Sequence, residues 1–195
     1  MGTEGLNEFV KHYYPQLQKK ALIIDDRGNG GGNVSPMIIE RLMRTPTYFT
    51  MHTNQKEGSV NPVGTFIGPK VLLVNEYSAS DGDLFPYRFK YNKLGTVIGR
   101  RTWGGVVGYS GTIPVVDGGA IVTPSYAPFA VDGSGFIIEG TGVTPHIDLE
   151  NDPYLEYTGR DQQLEKAIEI ILEQLKTAKR SVPPIPVFPD KSGKN

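Results

Sequence analysis

The chain has 195 residues, of which 38% are hydrophobic and 21% charged, enough to bury one sizeable core, so a single domain is expected. The formal net charge of −1 indicates neither nucleic acid nor a membrane surface as a partner. The absence of cysteine excludes disulfides, thiolate catalysis and cysteine-ligated zinc, and neither a signal peptide nor an apolar run able to span a bilayer is found.

The first part of the chain predicts a helix, a strand and a second helix. Apolar residues near helical spacing predict a helix over residues 5–19, with His12 on its polar face. The apolar run 21–24 predicts a short buried strand. A glycine-rich segment follows it, and Ser35-Pro36 predicts the N-cap and first position of the second helix.

The middle of the chain centres on a second strand and helix. Residues 44–70 are polar and turn-rich. Short strands within them are expected at Tyr48, Phe49 and Phe66. Four Val and Leu residues at 71–74 then predict a buried parallel strand. Small residues, two acids and an apolar-periodic run follow, which predicts a tight turn and a helix with Ser80 at the junction.

The last part predicts further strands and a long helix. Strands are expected at 97–99, 112–116, 120–123 and 136–139. Residues 161–179 form the clearest amphipathic helix, with Asp161 as its N-cap. Four prolines in the nine residues from Ser181 predict an extended or disordered tail. Alternating strands and helices predict an α/β domain with much parallel pairing, although the strand-rich stretch 97–139 makes it less regular than a Rossmann fold.

The glycine loop (residues 25–33) is the first candidate for chemistry. Consecutive glycines let a backbone approach another group closely or present an N–H inward. A phosphate-binding loop does not fit, because no Lys-Ser or Lys-Thr follows the glycines. A dinucleotide fingerprint does not fit either, because Asn33 occupies the third glycine position. A tight strand-to-helix connection is the structural alternative.

Ser80 is the second candidate. A serine at a helix start lies near free N–H groups and the positive end of the helix dipole, which suits an oxyanion. The structural alternative is that Ser78 or Ser80 is only an N-cap. Because parallel strands end at one edge of a sheet, we expect the glycine loop beside Ser80. Acyl transfer needs a nucleophile and two N–H donors, one from each of these segments.

Three segments together resemble the core of tricorn-type proteases, within the wider family of tail-specific, C-terminal-processing serine peptidases. They are residues 25–32, 75–83 and 101–108, in the family's order and at family-like separations. The resemblance extends from about Gly2 to about Leu175. It implies a crotonase- and ClpP-like α/β fold of stacked β-β-α units with a mixed, largely parallel sheet. It also implies that residues 1–180 are the peptidase core of a larger enzyme, followed by the tail 181–195.

The resemblance also assigns roles by position. It makes Ser80 the nucleophile and the N–H groups of Gly32 and Asp81 the oxyanion hole. Glu139 becomes the acid that, through a second serine, orients a catalytic histidine. On its pattern alone Glu139 is equally a solvent-facing strand residue. The resemblance implies no cofactor and no metal.

The general base is the missing part. Processing peptidases use a Ser-Lys dyad with a Thr-aromatic-Gly-Lys motif, whereas here Thr102-Trp103-Gly104 is followed by Gly105. Tricorn-type enzymes use a histidine from an upstream segment, and this chain starts too late to hold it. His146 has no neighbouring serine, and His52 lies in the polar region 44–70, so neither is expected to replace that histidine. We therefore expect the chain alone to cleave peptides very poorly.

The resemblance also implies partners. The substrate is expected to be an oligopeptide or unfolded polypeptide held as an added strand. Propeller, PDZ and histidine-bearing segments are expected upstream, and a homo-oligomer is a further expectation. The segment 45–53 has no acid to receive a basic side chain, so a strong preference for Lys or Arg is not expected. Four large residues would favour apolar side chains in the substrate, unless they belong to the core of this chain: Tyr48, Phe49, Met51 and Trp103.

Two other functions and the compartment stay open. A non-catalytic peptide-binding relative would keep this fold without a base. A crotonase-like acyl-CoA enzyme would also use paired N–H groups, but it needs no serine between Ala79 and Asp81. The sequence leaves a periplasmic, secreted or cytoplasmic location open.

Overall fold

In the computed structural model, residues 1–178, 182–189, 191 and 193 are described. The helices are α1 (Thr3–Gln16), α2 (Ser35–Met43), α3 (Asp81–Tyr91), α4 (Pro153–Tyr157) and α5 (Gln162–Thr177). The strands are β1 (Leu22–Asp25), β2 (Tyr48–Thr50), β3 (Ser59–Asn61), β4 (Lys70–Val74), β5 (Thr96–Gly99), β6 (Gly108–Pro114), β7 (Ala120–Tyr126) and β8 (Ile147–Asp148).

A parallel sheet in the order β1-β4-β5-β8 forms the centre of the fold. In β4, residues 71–74 are all fully buried, as their unbroken apolar run predicts. Their side chains alternate between two cores. Leu72 and Val74 pack with α1, α2 and α3 on one side, while Val71 and Leu73 pack with Ala167 of α5 on the other. The sheet is therefore covered on both faces.

Two antiparallel hairpins lie outside this sheet. Strands β2 and β3 form the first, and β6 and β7 form the second. Nearly every residue of β6 and β7 is exposed. The β6–β7 hairpin directly follows the loop 100–107, which lies beside the start of α3.

The predicted α/β class is confirmed, and most predicted helices and strands are found within a few residues of their expected bounds. Asp161 is the N-cap of α5, and its side chain accepts the Leu164 N–H. Ser35 is the first residue of α2 rather than its N-cap, which is Val34. The predicted end of α5 at residue 179 lies outside the described residues.

Two expectations about strands were wrong, and one strand was missed. Phe66 lies in no strand. Its side chain is buried in the core, so its apolar character reflects core packing and not strand pairing. Residues 136–139 form a loop with a single bridge from Phe129 to Phe136. Strand β8 was not predicted, since its two residues are too few for a periodic pattern. The apolar stripe of α5 is also wider than its buried face, because Leu164, Ile168 and Leu172 are exposed.

Residues 182–189 form neither helix nor strand, while parts of the predicted tail lie outside the described residues. The boundary at residue 180 stays a prediction. No helix among the described residues is long and apolar enough to cross a membrane.

Candidate active site

Ser80 lies where the chain passes from β4 into α3. It is the N-cap residue of α3, and its backbone has φ 58° and ψ −115°. A non-glycine residue with such a φ stores roughly 1–3 kcal/mol of strain and persists only where its surroundings enforce it. Here the Ser80 N–H donates to Asp83 Oδ2 at 2.8 Å, and the Ser80 carbonyl accepts from the Asp83 and Leu84 N–H groups. The turn therefore presents an exposed Ser80 in a fixed, strained conformation.

Ser78, the alternative N-cap, has a structural role. Its side chain is fully buried, and its Oγ donates to the Asp26 carbonyl at 2.9 Å and accepts the Asn75 N–H at 3.2 Å. These bonds attach the turn before α3 to the glycine loop. Ser80 is thus the N-cap of α3, and it is the exposed one of these two serines.

The glycine loop lies directly against Ser80. The Ala79 N–H donates to the Asn29 carbonyl at 2.8 Å. Gly31 has φ +111°, and a Cβ there would lie 2.6 Å from Ser80 Cβ and 3.1 Å from Ser80 Oγ. The expected meeting of the two loops at one edge of the sheet is observed. Only glycine fits at residue 31, because both its backbone conformation and its close approach exclude a side chain.

Gly32 and Asp81 each have a free backbone donor. Neither the Gly32 N–H nor the Asp81 N–H donates a hydrogen bond to any residue that the structure describes. The Asp81 side chain is directed to Ser35 and Arg88, so only the backbone of residue 81 is left for a ligand. An oxyanion hole needs two such unpaired donors aimed at the point where negative charge develops.

Glu139 is held by a neighbouring loop rather than by a strand. Its Oε2 accepts the N–H groups of Val106 and Val107 at 2.7 and 2.8 Å. The preceding residue, Ile138, is buried and has φ 72°, which is strained for a β-branched side chain. The strand expected around Glu139 is therefore replaced by an enforced turn that directs this carboxylate to residues 106–107.

No base within the described residues is bonded to Ser80. His12 on α1 is exposed and contacts Glu8. His146 Nδ1 accepts the Val97 N–H, and the pKa of His146 is lowered by burial and by Lys90. His52 lines a groove beside β3. Where a Ser-Lys dyad would place its lysine, Gly105 donates its N–H to Asp83 instead.

Asp26 is a site residue that the sequence did not single out. Only its Oδ1 is hydrogen-bonded, to the Asn29 side chain at 2.7 Å, while its buried Oδ2 has no partner among the described residues. Burial raises the pKa of the Asp26 carboxyl well above its ordinary value, and the carboxylates of Asp81, Asp25 and Asp83 raise it further. This buried acid with a raised pKa lies behind the glycine loop, and Asn29 links it to Gly31.

With this geometry established, similarity to known proteins decides the family. The model of peptidase family S41 matches residues 2–149. The chain belongs to peptidase family S41. This S41 domain is 43% identical over 186 residues to the tricorn protease of Thermoplasma volcanium, covering 94% of this chain and 18% of that protein. It is 38% identical over 188 residues to the tricorn protease of Thermoplasma acidophilum, covering 95% of this chain and 17% of that protein.

Solved structures agree with the sequence relatives. A crystal structure of the tricorn protease superimposes on the S41 domain with a TM-score of 0.84 and 38% identity, covering 91% of this chain and 17% of that one. Mature CPAF shares the fold, with a TM-score of 0.66 and 20% identity, covering 93% of this chain and 49% of that one. The predicted resemblance to tricorn-type S41 peptidases is confirmed. The S41 domain spans less than a fifth of its tricorn relatives, at 18% and 17% of their length.

Proposed function

We propose that this S41 domain is the catalytic core of a serine peptidase that hydrolyses oligopeptides or unfolded polypeptides through an acyl-enzyme on Ser80. The observation that carries the proposal is the contact between Gly31 and Ser80, with unused N–H groups at Gly32 and Asp81 in the two segments that meet there. Membership of family S41 supports the reaction class. The crotonase-like alternative gains no support, because the strained turn at residue 80 presents a serine that such chemistry does not use.

The reaction follows from these groups. Ser80 Oγ attacks the peptide carbonyl carbon while a base takes the hydroxyl proton, and the carbonyl oxygen becomes an oxyanion. The Gly32 and Asp81 N–H groups stabilise that charge. The C–N bond then breaks, the amine leaves with the proton, and water hydrolyses the ester by the same steps. Glu139, anchored through Oε2, is left with Oε1 free of hydrogen bonds from the described residues to orient the base through an intermediate hydroxyl.

The base is proposed to be a histidine outside residues 1–195, because no described histidine is hydrogen-bonded to Ser80, and the side chains of His12 and His146 have other partners. Propeller and PDZ segments, and a homo-oligomer, belong to the same proposal about the larger protein. Tyr48 and Trp103 are exposed rather than part of the core, so they remain available to favour apolar substrate side chains.

Free imidazole offers a direct test, since it can replace a missing histidine side chain. A fluorophosphonate should label the purified chain slowly in plain buffer and faster as imidazole is added, because general base catalysis contributes roughly 10²–10⁴-fold. Peptide mapping should locate the label on Ser80, and Ser80→Ala should abolish it. The matched control is Ser110→Ala, at an exposed serine of β6 whose hydroxyl donates to Ser125 Oγ.

The possible results separate the competing functions. Imidazole-dependent label on Ser80 supports the peptidase. A folded chain that takes no label at any imidazole concentration, yet binds unfolded peptides, would favour the non-catalytic peptide-binding relative. Rapid hydrolysis of oligopeptides by the chain without imidazole, lost in Ser80→Ala, would refute the proposal of an external base.

A further inference from the structure

Four consecutive backbone N–H groups lie between the nucleophile turn and Glu139. We call the N–H groups of residues 104–107 the amide row. Gly104 and Gly105 donate to Asp83 at 2.8 and 3.2 Å, while Val106 and Val107 donate to Glu139. Two carboxylates from different parts of the chain thus share one short loop, each taking two neighbouring N–H groups.

Asp83 also holds the serine itself. Its side chain is fully buried at the third position of α3, and it accepts three N–H groups, from Ser80, Gly104 and Gly105. A carboxylate that accepts backbone N–H groups forms charge-assisted bonds, which are shorter and stronger than neutral ones. Asp83 is therefore the direct connection between the strained turn at residue 80 and the amide row.

We propose that Asp83 is a positioning residue that sets the place of Ser80 relative to Glu139. The inference rests on the proposed roles of Ser80 and Glu139. The Asp83 side chain accepts backbone N–H groups, and it makes no hydrogen bond to Ser80 Oγ among the described residues. It acts by fixing the Ser80 backbone to Gly104 and Gly105. The next two residues of that loop, Val106 and Val107, bind the Glu139 carboxylate.

The rest of the loop explains why one carboxylate can have this effect. The Trp103 N–H donates to the Ser78 carbonyl, and the Gly140 N–H donates to the Gly104 carbonyl, both at 2.8–2.9 Å. A Cβ on Gly104, which has φ +91°, would lie 2.6 Å from the Gly142 N. The loop therefore cannot shift at residue 104 without moving its neighbours, and Asp83 is where it joins the start of α3.

The test compares Asp83→Asn with the wild type by imidazole-assisted fluorophosphonate labelling. The amide keeps the size of the side chain but removes its charge and places an NH₂ group against an N–H donor. We expect the first-order labelling constant to fall about a hundredfold, which is the effect of misplacing reacting groups by about 1 Å. The fraction finally labelled should stay unchanged, because a positioning defect slows every molecule whereas unfolding removes molecules from the reactive population.

Two further variants make the result decisive. Phe89→Leu, a fully buried core change on the same helix, should lower the stability while leaving the labelling constant near wild type. Asp83→Glu keeps the charge, and a glutamate at this position of a capping box can reach the N-cap N–H. The labelling constant of Asp83→Glu should therefore be higher than that of Asp83→Asn. If Asp83→Asn does not fold, the constant of Asp83→Glu is compared with wild type instead, and a decrease is expected.

The outcomes separate this inference from the proposed function. Suppose that wild type is labelled at Ser80 and that the Asp83 variants react at the wild-type rate, or no more slowly than Phe89→Leu. Asp83 then has no positioning role, and the peptidase proposal stands. If wild type takes no label with imidazole present, the peptidase proposal fails and the role of Asp83 fails with it.

Discussion

Replacing Gly31 with alanine is the most direct perturbation of the candidate site. Gly31 is the residue through which the glycine loop touches Ser80. A methyl group there would lie 2.6 Å from Ser80 Cβ, whereas carbon atoms in contact prefer roughly 3.5–4.0 Å. The methyl group therefore requires Ser80 or the glycine loop to move by about 1 Å. In addition, alanine must adopt a φ of +111°, which L-residues avoid.

These two effects determine different measurements. The backbone strain should lower the free energy of unfolding by roughly 1–3 kcal/mol. The displacement of Ser80 should lower its imidazole-assisted labelling constant by about a hundredfold, since reacting groups misplaced by about 1 Å lose that much rate. Urea unfolding measures the first quantity and the time course of fluorophosphonate labelling measures the second.

Gly30→Ala is the matched control in the same loop. A Cβ at residue 30 meets nothing within 4 Å, so this variant should change the labelling constant little. The reasoning would be refuted if Gly31→Ala reacted like the wild type, or if Gly30→Ala slowed labelling as much as Gly31→Ala. Either result would mean that the close approach of residue 31 does not determine the position of the serine.

Three further predictions concern stability. Burial raises the pKa of Asp26 in the folded chain. The free energy of unfolding should therefore fall as the pH rises from about 4, where Asp titrates in the unfolded chain, through the raised pKa. Urea unfolding at a series of pH values should show this fall in the wild type and not in Asp26→Asn. Hydrogen bonds from Arg27 lower the pKa of Asp161 to about 2. The free energy of unfolding should therefore decrease as the pH falls from about 4 through 2. In the same urea experiments, Asp161→Ala should reduce this decrease at low pH. Leu72→Ala, at a fully buried position, should cost about 2–5 kcal/mol of unfolding free energy.

The parallel sheet was predictable because its central strand has an unmistakable pattern. Residues 71–74 are four consecutive apolar residues, and a strand buried on both faces needs such a run. Amphipathic periodicity likewise located α5, although its exposed Ile168 and Leu172 show that periodicity gives the apolar stripe and not the part of it that is covered. Local patterns thus predict whether an element is a helix or a strand better than they predict which of its residues are buried.

The loop around Glu139 could not be predicted in the same way. Phe136-Ile137-Ile138 looks like a strand, because β-branched and aromatic residues favour extended backbone. In the structure Ile138 adopts φ 72°, and its carbonyl accepts the N–H groups of Thr141 and Gly142. This turn is imposed by the tertiary structure, which overrides local preference, so only the family resemblance indicated Glu139.

Some of the site was nevertheless visible in short spacings. Ser80 and Asp83 are three residues apart before an apolar run, which is the pattern of a capping box. That spacing predicts the bond from the Ser80 N–H to Asp83, but it gives no indication of Gly104 and Gly105, which are more than twenty residues away in sequence. Long-range partners of a buried carboxylate are a property of the fold, and the sequence contained no pattern for them.

The hydrogen bonds of the acids around Ser80 bear on the proposal that the general base is supplied from outside this chain. Asp83 and Glu139 accept backbone N–H groups, and Asp81 accepts from Ser35 and Arg88. Asp26 is buried, its pKa is raised by that burial, and its Oδ1 accepts a hydrogen bond from the Asn29 side chain. None of these carboxyl groups is hydrogen-bonded to the Ser80 hydroxyl within the described residues. Because no carboxylate of the described residues is placed to accept the serine proton, the proposed function predicts that added imidazole should increase the reactivity of Ser80.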